Sequence, residues 1–195
     1  MHGAGITSSL AELLVGGSVV LLPSAGFDGT ELWDAVERHR VTRVLIVGDV
    51  FARPMIRALD AQARERDLAS LQVISSSGVM WSSEIKRGLL RHLPWLRLVD
   101  ILGASEASGL GYSITTLDCE PPTGRFQPGP HTVLISEDGR VLDRDESGPG
   151  MLARSAPLPV GYLGNPVKTA AVFPTIDGVR YAVAVTGPNG IRTAL

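Results

Sequence analysis

Between Ser18 and Ile101, short apolar runs alternate with segments whose apolar residues recur every three or four positions. That alternation is the signature of β-α units around a parallel sheet covered on both faces. The runs Ser18–Leu22, Arg43–Val47, Leu71–Ser75 and Leu96–Ile101 are the predicted strands. Between the first two, Asp28 and Glu31 stand at capping-box spacing, and Leu32, Trp33 and Val36 share one face, which predicts a helix ending near Arg40. A second helix is expected after Pro54, with Ile56 and Leu59 inward and the charged stretch Arg64–Asp67 as its solvated end. Ser82 or Ser83 can cap a third, which contains Ile85, Leu89 and Leu90 and cannot run far past Pro94.

The texture changes after Gly111. Glycine and proline become frequent, apolar runs shorten, and Asp138-Gly139 marks a hairpin turn. His131–Ser136, Met151–Ser155, Thr169–Phe173 and Val179–Val185 read as strands of a smaller β-rich unit, with a boundary near Tyr112. The expected fold is therefore α/β: a doubly wound parallel-sheet subdomain over residues 1–111, followed by a smaller β-rich subdomain over residues 112–195. No internal repeat is visible.

Composition narrows the function classes. Of 195 residues, 44% are hydrophobic and 19% charged, yet no uninterrupted apolar run approaches the roughly 20 residues a bilayer-spanning helix needs. No membrane span is expected. The 18 Lys and Arg nearly balance the 20 Asp and Glu, so no excess of positive charge is available for a phosphate backbone, and nucleic acid is not an expected partner. The single cysteine, Cys119, cannot form an internal disulfide, and the first residues lack the layout of a secretory signal. A reducing, cytoplasmic setting is expected.

In parallel sheets, ligands collect where strands end at their carboxyl side, which directs attention to the loops after the third and fourth predicted strands. Ser75-Ser76-Ser77-Gly78 offers hydroxyls and approachable backbone amides, and Gly103-Ala104-Ser105-Glu106 sets a hydroxyl beside a carboxylate. Ser105 could hold a phosphate oxygen and Glu106 a divalent cation, since magnesium prefers oxygen ligands and few protein carboxylates. From residue chemistry alone, the same residues better suit a tight turn with a solvated or helix-capping glutamate.

Asp100-Ile-Leu-Gly-Ala-Ser-Glu106 resembles the central signature of the adenylate-forming (AMP-binding) superfamily, in which an aromatic residue precedes Gly, a small residue, Ser or Thr, and Glu. Other segments resemble that superfamily in its own order. Met1-His2-Gly3-Ala4-Gly5 is similar to the acyl-pocket segment and Val73–Gly78 to the loop lining adenine. Gly124–Pro130 is similar to the linker of fatty acyl-CoA synthetases, and Gly161-Tyr162 through Lys168–Phe173 to a later glycine-tyrosine and lysine-threonine segment. The resemblance extends to Val183. It implies ATP-dependent activation of a carboxylic acid, a fatty acid by the nearest likeness, to an acyl-adenylate, then transfer to coenzyme A. It further implies that Ser105 contacts phosphate, Glu106 holds Mg2+, and Ser77, Gly78, Leu102, Gly103 and Ala104 border the ATP/AMP adenine or the acyl group. His2 and Gly3 would line the acyl channel. Tyr162 reads as packing, Lys168 as a solvated surface lysine, and His131 and Cys119 receive no role.

Departures from the family pattern carry their own expectations. Leu102 stands where the family has an aromatic residue to stack on adenine, keeping apolar contact without a flat π surface. The glycine-rich triphosphate loop, the ribose-binding Gly-Asp pair and the C-terminal lysine domain have no counterpart in the sequence, so the chain is expected to be a catalytically incomplete piece that self-associates through uncovered apolar surface. After Val183 the pattern stops, and residues 185–195 are expected to be disordered. A one-base shift of the codons for Ala184–Leu195 permits a Gly-Asp pair, so a frameshift stands beside truncation as the explanation. Two other readings stay open: a non-catalytic acyl- or nucleotide-binding interaction module, and a fragment of another adenylating enzyme that loads a carrier protein.

Overall fold

The computed structural model describes residues 3–61, 64–143, 146, 150–184 and the backbone of 192–193. The chain divides into two compact units, the first comprising Met1–Ile101 with Ser113–Arg125, the second Leu102–Tyr112 with Phe126–Leu195. Tyr112 marks one of three points at which the chain passes between them.

In the first unit, α1 (Gly3–Leu14) is followed by α2 (Gly29–His39), β1 (Arg43–Ile46), α3 (Gly48–Asp60), β2 (Val73–Ser77), α4 (Ser83–His92) and β3 (Arg97–Leu102), and then, after the excursion through 102–112, by the end of β4 (Gly111–Thr115). The sheet order is β1-β2-β3-β4, and β1, β2 and β3 are parallel, with Arg43 opposite Val73 and Val73 opposite Arg97. Its core packs Trp33, Met55, Leu71, Ile74, Leu89, Leu96 and Leu98, all fully buried. The Asp28 carboxylate caps α2 by accepting from the amides of Thr30 and Glu31 at 2.7 and 3.4 Å, and Arg40 ends the helix in the left-handed region.

Four expectations for this unit are corrected. Ser18–Leu22 joins no sheet: the ladder begins at β1, and a strand without a hydrogen-bonding neighbour is only extended chain. The predicted Leu71–Ser75 strand runs two residues later, which buries Ser76, whose Oγ accepts from the Gly48 amide at 2.9 Å. Pro54 lies inside α3 rather than before it. The missing proline N–H is the one that would have bonded to the carbonyl of Val50, an exposed residue. Finally, Arg64 and Arg66 do not form a solvated helix end. Both guanidiniums bond to Asp34 on α2 at 3.0 Å, and the Arg66 side chain is buried.

The second unit contains β5 (Gln127–Pro128), β6 (Thr132–Ile135), β7 (Gly150–Ser155), α5 (Pro166–Val172), β8 (Thr175–Ile176), β9 (Val179–Val183) and β10 (Arg192–Thr193). Its sheet is antiparallel, ordered β10-β7-β9-β8 with β6 on β7, while β5 pairs with Gly111 and Tyr112 of β4. Asp138-Gly139 forms the predicted turn: Gly139 takes φ +85° and its amide bonds to the Ser136 carbonyl at 3.0 Å. Thr169–Phe173, predicted as a strand, is instead helical through Val172. Asn165 caps this helix from its side chain and Pro166 supplies the fixed φ of the first turn, two signals that outweigh the short apolar run. In the tail, 185–191 and 194–195 lie outside the described residues. Arg192 and Thr193, expected to be disordered with the rest of the tail, lie antiparallel to Met151 and Gly150.

Candidate functional site

The predicted site residues fall into two groups, one in each unit. Ser77 ends β2 and pairs in register with Ile101 of β3, while Gly78 follows it exposed, with φ +94°, a conformation that favours glycine. Gly3 opens α1, a helix none of whose residues is buried, and His2 lies outside the described residues.

Leu102–Glu106 belongs to the second unit. Leu102 and Ala104 are half-buried and pack against a cluster that includes Ala107, Leu110, Leu152 and Phe173. The Ala104 amide donates to the Ala107 carbonyl at 3.0 Å and the Ala107 amide returns a bond to the Ala104 carbonyl at 3.1 Å. Ser105 and Glu106 are thereby the two central residues of a closed turn, with Ser105 exposed and Glu106 partly buried. Gly103 permits that closure, since a Cβ there would lie 3.2 Å from the Gly109 nitrogen and 3.4 Å from the Ala107 carbonyl. Arg154 on β7 fastens the far side of the loop by donating from Nη1 to the Ser108 carbonyl. Such a turn presents a hydroxyl and a carboxylate on a backbone that has little freedom to move.

Two residues passed over by the sequence reading complete this arrangement. Tyr162, read as packing, donates its phenol to Glu106 Oε1, and that bond, reinforced by burial and by the carboxylate charge, pushes the phenol up to about 12. Lys168, read as a solvated lysine, is exposed but holds its ammonium 4.0 Å from the Tyr162 ring centroid. The signal that could have revealed them is Gly161-Tyr162 followed by Asn165-Pro166. An asparagine cap and an N1 proline start α5, and the helix turns Lys168 and Thr169 back toward the tyrosine.

A profile of the AMP-binding enzyme family matches residues 1–162. The chain belongs to that family. Among its relatives is the medium/long-chain-fatty-acid–CoA/3-oxocholest-4-en-26-oate–CoA ligase of Mycolicibacterium smegmatis, 33% identical over 94% of this chain and 34% of the relative. The medium-chain acyl-CoA ligase Mig of Mycobacterium avium is 35% identical over 94% of this chain and 33% of its own. The chain spans about a third of the length of these curated relatives. Solved structures share the fold: a nonribosomal peptide synthetase protein with adenylation and carrier domains (TM-score 0.76, 21% identity, 99% of this chain and 40% of the other). A long-chain-fatty-acid–CoA ligase from Archaeoglobus fulgidus (TM-score 0.73, 19% identity, 100% of this chain and 41% of the other) does so too.

The chemistry of Leu102–Glu106 is compatible with an adenine nucleotide and a divalent cation. One hydrogen bond at Oε1 leaves the Glu106 carboxylate with further lone pairs for a cation. Among the described residues, no three His, Cys, Asp or Glu side chains converge. A single carboxylate suits Mg2+, which keeps waters and takes its other ligands from phosphates. Leu102 offers adenine an apolar side but no ring to stack on.

Proposed function

We propose that the chain carries part of the nucleotide and acyl site for ATP-dependent activation of a fatty carboxylic acid to an acyl-adenylate and then to acyl-CoA. The observation that carries this reading is the closed turn that presents Ser105 and Glu106 together, in a chain a third identical to acyl-CoA ligases. In the first step a carboxylate oxygen of the small-molecule acid attacks the α-phosphorus of ATP and the bond to pyrophosphate breaks. In the second the coenzyme A sulfur attacks the acyl carbon and AMP leaves.

Ser105, exposed at the tip of the turn, donates its hydroxyl to a phosphate oxygen in this reading. Mg2+, when bound, would neutralise charge on the phosphates, with Glu106 as its protein ligand. Gly103 and Ala104 let the nucleotide approach the backbone, and Leu102 contacts adenine by apolar surface alone, so nucleotide affinity is low. Ser77 and Gly78 border adenine or the acyl group, and Gly3 with His2 lines the acyl channel. Among the described residues no helix is long and apolar enough to cross a membrane. Cytoplasmic placement remains part of the proposal.

The 195-residue chain by itself is proposed not to turn over, because the curated relatives bring about three times the polypeptide to the same reaction. Pyrophosphate release from ATP is the test. The expected result is none above background with medium- or long-chain fatty acids, and release that depends on the acid and is abolished by Glu106→Ala would refute the incompleteness. Calorimetric titration with a non-hydrolysable acyl-adenylate analogue and with acyl-CoA addresses the site itself. Preference for the adenylate is expected, whereas preference for acyl-CoA would favour an acyl-binding module.

A further inference from the structure

We propose that Tyr162 is a positioning residue, whose phenol holds the Glu106 carboxylate in the orientation in which it can receive a divalent cation. The inference rests on the reading of Glu106 as the cation's protein ligand. Glu106 sits on a backbone already closed by the reciprocal Ala104–Ala107 bonds, so its unsettled freedom is in the side chain. A glutamate side chain has several rotatable bonds, and an unheld carboxylate must give up that freedom each time it binds a cation. The phenol of Tyr162 donates to Oε1 and fixes one oxygen, which leaves the other aimed by geometry.

The tyrosine is itself held at several points. Its amide donates to Thr169 Oγ1 at 2.9 Å, and the Thr169 hydroxyl donates to the Asn165 carbonyl at 2.8 Å, tying Tyr162 to the start of α5. Gly161 takes φ +152°, and a Cβ there would fall 2.6 Å from Thr169 Cγ2, so a side chain at 161 would push the bracket apart. The ring also lies 6.0 Å, centroid to centroid, from Phe173, and the Lys168 ammonium sits 4.0 Å from its centroid. A cation over the ring face is attracted to it, which adds one more hold on the ring. A surface tyrosine serving only to pack would need neither the threonine bracket nor a bond to a carboxylate in the turn.

The experiment is a titration of the full 195-residue chain with Mn2+ alone, read by water-proton relaxation, for the parent, Tyr162→Phe, Glu106→Gln and the double variant. Tyr162→Phe keeps the ring and removes only the hydroxyl. It is expected to weaken Mn2+ binding about 10- to 100-fold, as losing a ligand's outer partner does, and to add no further loss once Glu106→Gln is already in place. A merely structural role would lower the melting temperature and leave the Mn2+ affinity of the folded protein unmoved. If Glu106→Gln abolishes binding while Tyr162→Phe leaves it unchanged or tightens it, the positioning role is overturned and the cation reading of Glu106 survives. If the parent shows no binding that depends on Glu106, the cation reading falls and takes the inference with it. Should Tyr162→Phe fail to fold, Thr169→Ala, which keeps the phenol but cuts its anchor, carries the test with the same expected sign.

Discussion

Tyr162 and Asp100 are both displaced from their ordinary ionisation ranges, for different reasons. The phenol of Tyr162 is held up at about 12 first by its bond to Glu106. A raised tyrosine keeps its proton in the folded chain after the unfolded chain has lost it, so its stabilising contribution is full below its usual value of about 10 and fades as pH climbs through about 12. Glu106→Gln exchanges a charge-assisted bond for a neutral one, and phenolate absorbance is expected to show Tyr162 titrating nearer its usual value. Superimposable titrations of variant and parent would contradict this. Asp100 is pushed up because burial outweighs the bond and charge of Lys86, the partner with which it forms a buried ion pair. Its folded form binds the proton more tightly, so ionising Asp100 lowers stability as pH rises from its usual value through the raised one. Lys86→Ala strands the carboxylate and is expected to cost about 3–5 kcal/mol in urea unfolding at neutral pH, a loss that shrinks as acid protonates Asp100. Lys86→Met combined with Asp100→Leu should recover most of it.

At the scale of elements, α2 and α3 approach so closely that a glycine decides their spacing. A Cβ on Gly29 would lie 2.4 Å from the Pro54 carbonyl oxygen and 3.1 Å from the Met55 Cα, both backbone atoms that cannot swing aside. The indole of Trp33 closes the same contact by donating to the Met55 carbonyl at 2.9 Å. Gly29→Ala is therefore expected to destabilise by about 1–3 kcal/mol although alanine favours helix, because overpacking outweighs propensity. A thermal melt unchanged or raised in this variant would show that the helices can part without cost. The short helix α5 depends on its cap in the same local way. Asn165→Ala removes the acceptor of the Lys168 amide, 2.9 Å away, and is expected to cost about 1 kcal/mol.

For the molecule as a whole, α1 leaves much of its apolar side in solvent. It buries no residue, while Leu10, Leu13 and Leu14 are exposed on it and Val15 just beyond. Apolar surface of that extent favours association, and sedimentation velocity is expected to show concentration-dependent self-association of the chain. Leu10→Glu with Leu13→Glu should shift it toward monomer, whereas a parent that stays monodisperse and monomeric at high concentration would contradict the expectation.

The apolar periodicity by itself determined α2, β1, α4, β3, β6, β7 and most of β9, because each either buries one regular face or carries its own cap and stop. The pairing of Ser105 with Glu106 just after a strand was legible, since residues adjacent in sequence stay adjacent in any turn. Tertiary structure decided the rest. Ser18–Leu22 has a strand's composition but no neighbouring strand to bond to. Pro54 stays helical inside α3, where the residue four positions before it, Val50, is exposed. The bond from Tyr162 to Glu106 joins residues 56 positions apart, a separation that local pattern cannot encode and that only the folding of α5 against the loop brings to hydrogen-bonding distance.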